Sequence, residues 1–360
     1  MAINRSVGLL NILLLSFCLF SPCLAQNLQD WSKQTFGCVK KGQEFIPRSA
    51  HFFDDGSGWI VGETGEQKTR SIRVFVENGF DTCVSTFGQD LSAFDDVFFT
   101  TRKHGWIVGS KSSSNDSIQA LLLETFDGGA TWVERNLDFI ARKYKESDFD
   151  SVLFTASGRG FILGKIKDKE GNLRGVIFKR ERGARDWTPA YIGEPDSFFE
   201  DIAFDPSGNA GWVITDGGSV LRSVNGGNVW KKESKSFDDA LSRLAVLSRN
   251  EVWMTSQSSS LFHTKDGGRT WNSVPIKVEV KKDSPLKGYA LWFGGIFFDG
   301  LGNGWIGGSG GLIMRTKDSG KTWAVESSGG ARFLYEIKPF GSKLISLGAE
   351  SALLQKEILN

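Results

Sequence analysis

Carboxylates and arginines recur at one kind of place in this 360-residue chain, at the start of short apolar runs with an alternating pattern. Asp95 and Asp96 precede Val97-Phe98-Phe99, and Asp150 precedes Ser151-Val152-Leu153-Phe154. Glu200 and Asp201 precede Ile202-Ala203-Phe204, Glu336 precedes Ile337, and Arg48, Arg243 and Arg332 are interspersed among them. Paired carboxylates can perform general acid–base chemistry, and arginines can clamp an anion through two parallel N–H donors. The same residue types also serve as polar strand ends around a wet channel. Which reading holds depends on what brings such distant positions together.

A repeat does so. Four copies of an eight-residue pattern, Ser/Thr-x-Asp-x-Gly-x-Thr-Trp, run through the chain at Thr125 to Trp132, Ser223 to Trp230, Thr264 to Trp271 and Thr316 to Trp323. The acidic or amide residue is Asp127, Asn225, Asp266 or Asp318, and the closing aromatic is Trp132, Trp230, Trp271 or Trp323. The pattern resembles the Asp-box, a β-hairpin turn in which the carboxylate accepts backbone N–H bonds, glycine takes φ > 0 and tryptophan packs inward. Upstream of each box lies a glycine, an aromatic and a few apolar residues, so that an aromatic recurs at Trp59, Trp106, Phe161, Trp212, Trp253 and Trp305, with a degenerate copy at Ile345. In three repeats 18 residues separate this aromatic from the box tryptophan (212 to 230, 253 to 271, 305 to 323). Spacings of 40 to 55 residues indicate four-stranded units. The expected fold is all-β, a seven-bladed β-propeller of four-stranded antiparallel blades. The last repeat runs out of chain after Ile358, and Trp31 to Phe36 reads as a box tryptophan followed by an outer strand. That segment is expected to complete the seventh blade, so that the N-terminal strand closes the ring and removes an exposed edge.

Residues 1–25 combine Arg5, an apolar run from Leu9 to Phe20 and a small residue before Gln26, the pattern of a cleavable secretory signal peptide. The run is shorter than a membrane-spanning helix needs, and the residues before Cys18 and Cys23 are Phe17 and Pro22, where a lipoprotein signal needs a small one. The propeller is therefore expected over residues 26–360, exported to a periplasmic, secreted or lumenal location. The segment carries one basic residue, so the 43 basic and 42 acidic residues of the whole chain become an even balance in what remains. Neutrality at this size argues against nucleic acid as the main partner. Cys38 and Cys83 are left, a disulfide candidate in an oxidising compartment, with two free thiols as the alternative. His51, His104 and His263 are scattered singly, so no metal site is expected and no cofactor is implied.

The Asp-box turns join strands three and four and read as structural. Function is expected on the opposite face, from the connections between strands two and three and between blades. There the second-to-third connections look long in blades one to three (63–70, 111–119 and 165–174) and short at 216–218, 257–259 and 309–311. Two blade-to-blade segments, 135–148 and 277–289, add material, the second with Lys277, Lys281, Lys282 and Lys287.

Two families share the turn. Sialidases resemble the chain in their Asp-boxes, which implies an arginine triad on a substrate carboxylate and a tyrosine nucleophile helped by glutamate. Arg48, Arg243 and Arg332 with Tyr335 and Glu336 would fill those roles, although Phe45-Ile46-Pro47-Arg48 puts the arginine after Ile-Pro instead of before it. A sialidase-like glycoside hydrolase and a carbohydrate-binding propeller are thus the alternatives. The fuller resemblance lies in Asp201 to Phe204, Gly211-Trp212-Val213, Gly218 to Ser223 and the box that follows, repeated from Ile296 to Thr316. This unit is similar to that of the photosystem II assembly/stability factor family of cyanobacteria and plastids and its relatives in non-photosynthetic bacteria. The resemblance implies a non-enzymatic, exported propeller that binds a membrane-protein assembly intermediate through an arginine-containing face. Arg48, Arg243, Arg332, Asp95, Asp150 and Glu200 are the expected contact residues. The chain departs from the family in its degenerate boxes at Asn78 to Phe80 and Arg182 to Trp187, and in the absence of a dense arginine patch.

Overall fold

The computed structural model describes residues 31–33, 45–64, 68–75, 83–87, 92–112, 117–276, 278, 286, 290–327, 332–349 and 352–357. The segment 1–25, Cys38, the degenerate box at 78–80 and the four lysines of 277–289 lie outside the described residues. Cys83 begins the fourth strand of the first sheet.

The described residues form an all-β propeller with four-stranded antiparallel blades, and seven four-stranded sheets can be followed among them. Each is a meander in which the first strand lies at one edge and the fourth at the other. The first strands are Phe45–Phe52, Ser92–Phe99, Glu146–Phe154, Phe199–Phe204, Leu241–Val246, Phe293–Phe298 and Leu334–Phe340. Residues from all seven line one central channel, a cavity of about 420 Å3, so these are the inner strands. In the last sheet the outer position is held by Ser32–Lys33, paired with Ala352–Glu357 through Ser32 opposite Gln355 and Lys33 opposite Leu354.

Local sequence explains the blades. The second strands are bounded by glycine and built of aromatic and β-branched residues, which suit a sheet buried on both faces. Trp59, Trp106, Phe161, Trp212, Trp253 and Trp305 are at most 1% exposed. Each apolar cluster joins residues of neighbouring blades; Trp212, for example, packs with Leu244, Met254 and Trp271 of the next blade.

The four boxes lie between strands three and four. In the first, Thr125 Oγ1 donates to Asp127 Oδ1 (2.8 Å) and accepts from the Gly129 amide (2.8 Å). The Thr131 amide donates to Asp127 Oδ1 (2.9 Å) and its hydroxyl to Oδ2 (2.6 Å). The geometry repeats around Asp266 and Asp318. Where Asn225 replaces the acid, Val229 replaces the threonine, so the bond that needs a second carboxylate oxygen disappears along with its donor. The box glycine also joins blades, because Gly129 lies against Trp59, Gly227 against Phe161 and Gly320 against Trp253 of the preceding blade. The degenerate turn at 182–187 keeps only the buried tryptophan, Trp187.

The expectation of long loops on the other face is corrected. In blades one to three the second and third strands run on for eight residues each, as in Gly160–Lys167 and Leu173–Arg180. In blades four to six they are four or five residues long. The added residues continue the ladder hydrogen bonds, so they form hairpins standing roughly 10 Å taller at three extra residues each. The 135–148 segment holds a short helix, Asp138–Ala141, whose Ile140 is buried.

Candidate functional site

The inner strands share one irregularity. Facing its second strand, each skips a residue in the pairing register at the same level: between Pro47 and Ser49, Phe94 and Asp96, Phe149 and Ser151, Phe199 and Asp201, Leu241 and Arg243, Phe293 and Ile296, and Leu334 and Glu336. Such a β-bulge leaves one residue out of the ladder and re-aims its side chain. The residues left out are Arg48, Asp95, Asp150, Glu200, Ser242, the pair Gly294-Gly295 and Tyr335. Arg48, Asp95, Asp150, Glu200 and Tyr335 line a cavity of about 250 Å3 at the mouth of the channel, on the face opposite the Asp-boxes. Of the residues that follow the bulges, Asp96, Ser151, Asp201, Arg243 and Glu336 line both the mouth and the channel.

The carboxylates divide into two roles. Asp96 accepts from Ser49 Oγ (2.6 Å) in the blade before it, from the Val97 amide (2.8 Å), and from Ser151 Oγ (3.0 Å) and the Val152 amide (2.8 Å) in the blade after it. Asp201 takes the amides of Ile202 (2.9 Å) and Leu244 (2.8 Å). These two acids tie adjacent inner strands together. The bulged acids are differently placed. Burial, reinforced by Asp148 and Asp150, pushes Asp95 up to about 7. Asp150 is raised by burial against the pull of Lys165, which lies 2.9 Å from its Oδ1, while its Oδ2 is buried without a partner. Glu200 is raised by burial and partly held down by Arg243.

Among the cations, Arg48 meets Glu63 at 2.6 Å. Arg332 does not line the cavity. It lies at the start of the seventh blade, where its carbonyl accepts from the Gly310 amide (2.8 Å), and its side chain points to solvent. The imagined arginine triad is therefore not assembled. Burial raises the Tyr335 hydroxyl, and neither that hydroxyl nor Glu336 Oε2 has a hydrogen-bond partner. A tyrosine nucleophile needs the opposite shift and a base in contact.

Sequence reasoning missed Lys338. It reaches down the channel to Glu336 Oε1 (2.5 Å) and the Ala50 carbonyl (2.7 Å), 288 positions away in the chain. Burial works against its charge, but Glu336, Asp96 and Asp201 outweigh that and raise it. His51 faces the same channel and is lowered to about 4 by burial and by Lys338, so it stays neutral. The sequence signal for the bulges was present: two consecutive polar residues, such as Asp95-Asp96 or Glu200-Asp201, interrupt the alternation of an inner strand. Among the described residues, no group of histidine, cysteine and acidic residues could hold a metal ion.

Comparison with known proteins follows the same lines. The family model for the photosynthesis system II assembly factor YCF48 matches residues 88–168 and 179–286. The photosystem II assembly lipoprotein Ycf48 of Prochlorococcus marinus is 25% identical over 268 residues, covering 65% of this chain and 74% of the relative. The chloroplastic photosystem II stability/assembly factor HCF136 of Cyanidioschyzon merolae is 24% identical over 326 residues, covering 73% and 72%. Two solved structures share the fold. YCF48 bound to D1 peptide superposes with a TM-score of 0.61 at 16% identity, over 92% of this chain and 97% of that one. YCF48 from Cyanidioschyzon merolae gives 0.62 at 18% identity, over 92% and 100%.

Proposed function

This chain belongs to the photosystem II assembly factor YCF48 family, and from that premise we propose that it is a non-enzymatic factor that binds a segment of a photosystem II assembly intermediate at the mouth of its channel. One observation carries the reading: the bulged side chains of five blades collect at a single open mouth, beside hairpins that stand tall on three of them. Arg48, Arg243, Asp95, Asp150 and Glu200 are the proposed contacts at the mouth, and Arg332, which does not line it, is proposed as a contact outside the cavity. The D1 peptide bound by a structural relative is the model for the ligand, an extended segment docking across strand ends. The unpaired Tyr335 hydroxyl and the unassembled arginines favour binding over the glycosidase alternative.

The scaffold proposed for this task is a seven-bladed ring, with the strand after Trp31 closing the seventh blade. Its support is the pairing of Ser32–Lys33 with the last strand and the bond from Trp31 Nε1 to Glu326 Oε2 (3.0 Å) in the neighbouring blade. Residues 1–25 act as a cleaved export signal and 26–360 as the mature domain. Relatives described as a lipoprotein and as chloroplastic fit a site outside the cytoplasm, and no helix among the described residues is long and apolar enough to cross a membrane.

The test is titration of a fluorescent D1 peptide by anisotropy, with the charge-swapped variant Arg48→Glu/Glu200→Lys as comparison. Binding that weakens by roughly tenfold or more in the variant, at unchanged thermal unfolding, is expected. Equal binding would remove the mouth from the site, and no binding to either protein would remove the partner.

A further inference from the structure

The mouth is not electrically balanced. Six carboxylates and three cations line it. Two of the carboxylates, Asp96 and Asp201, are occupied by backbone amides, and each cation has a protein partner: Glu63 for Arg48, Asp150 for Lys165, and the Ser242 carbonyl for Arg243. Acceptors are left over. Asp150 Oδ2, the neighbouring Asp148 Oδ1, and Glu336 Oε2 are all buried without a hydrogen-bond donor, and Glu336 lies half-buried at the junction of mouth and channel with its other oxygen held by Lys338. The Tyr335 hydroxyl beside it is also unpaired. Going round the ring, the bulged residues of blades two, three and four are Asp95, Asp150 and Glu200 in succession, an acidic arc with only Lys165 inside it.

We propose that the mouth selects a cationic side chain, the ammonium of lysine or the guanidinium of arginine, presented by the partner segment and seated against the arc of Asp95, Asp150 and Glu200. A buried carboxylate oxygen without a donor is an unfavourable state that an incoming N–H donor relieves. A cation with several donors suits acceptors spread over three blades, and the guanidinium fork can meet two of them at once. The arrangement runs against expecting the arginines to dominate recognition: Arg48 and Lys165 act as clamps that hold Glu63 and Asp150 in place. This inference rests on the reading of the mouth as the partner site and adds the chemistry of what enters it.

Acid–base linkage supplies a second readout. Asp95 sits among Asp148 and Asp150 from blade three and Glu63 and Arg48 from blade one, and burial, reinforced by the surplus of carboxylates, holds it at about 7. A cation favours its ionised form, so binding should tighten as pH rises from 6 to 8 and release a proton where Asp95 is still protonated.

The probe is hexalysine, with hexaglutamate as its opposite, titrated calorimetrically into the wild-type protein and the Asp95→Asn/Glu200→Gln variant. Expected are binding of hexalysine in preference to hexaglutamate, tightening from pH 6 to 8, and at least about tenfold loss in the variant. Hexalysine binding no better than hexaglutamate, or binding the variant equally, would overturn the proposal, as would an affinity that falls with rising pH. The two readings fail separately. If the peptide of the preceding test binds while hexalysine does not, cation selection is wrong and the binding site stands; if hexalysine alone binds, the site is cation-selective and the assigned partner is wrong.

Discussion

Replacing Gly129 by alanine tests whether the box turns hold neighbouring blades together or merely reverse the chain. Gly129 has φ of +85°, and a Cβ built there falls 2.2 Å from Trp59 Cζ2 in the preceding blade. Trp59 is 1% exposed and packs edge-on against Trp132 at 5.8 Å, so it has no free space to retreat into. The left-handed backbone costs an L-residue roughly 1–2 kcal/mol. Overpacking a filled interior adds roughly 1–3 kcal/mol, giving about 2–5 kcal/mol together. Gly171 is the internal control: its φ is +97°, yet nothing lies within 4 Å of the added methyl. Gly171→Ala should therefore lose only the backbone part, roughly 1–2 kcal/mol. The assay is urea unfolding followed by tryptophan fluorescence, with both variants measured beside the wild type. Trp59→Leu combined with Gly129→Ala should recover part of the loss, a coupling of about 1 kcal/mol or more. Equal losses for Gly129→Ala and Gly171→Ala, or no coupling to Trp59, would refute the claim that the box glycine works through the adjacent blade.

The box acids predict a pH effect. Hydrogen bonds from Thr131, Thr270 and Thr322, joined by those from Thr125, Thr264 and Thr316, hold Asp127, Asp266 and Asp318 at about 2, below the ordinary carboxylate value. Their contribution is thus complete above about pH 4 and lost as pH falls towards 2, and the triple Asp→Asn variant should show a flatter stability profile across that window in acid titration. Asp96→Ala should destabilise by roughly 2–4 kcal/mol in the same urea assay, because it strands the amides of Val97 and Val152 along with two serine hydroxyls. Trp31→Ala should lose about 2 kcal/mol through its packing and its bond to Glu326, and deletion of residues 26–40 should lower the melting temperature further; unchanged melting after the deletion would sink the closure of the ring by that segment.

The chain's own pattern determined the blade. A box turn is a local object: Asp127, its threonines and its glycines find one another within eight residues, so residue types at fixed spacing suffice to specify the hairpin. The buried aromatics were legible for the same reason, since a second strand covered on both faces needs continuous apolar residues wherever it occurs. The height of the hairpins in blades one to three was not legible. Polar residues such as Lys165 and Lys167 read as loop, but ladder hydrogen bonds continue through them and their side chains pair with Asp150 and Glu146. The site was half legible. Consecutive polar residues marked the inner strands, while the bulge that turns Asp95 or Glu200 into the mouth arises only when the strand is paired. Lys338 shows the remainder: in its own strand it is an ordinary alternating lysine, and only the closing of the propeller brings it to the Ala50 carbonyl and three carboxylates. Hydrogen bonds between near neighbours follow from sequence because the chain holds the partners close. Electrostatics around a central channel depend on distances between blades, which are set when the sheets pack together.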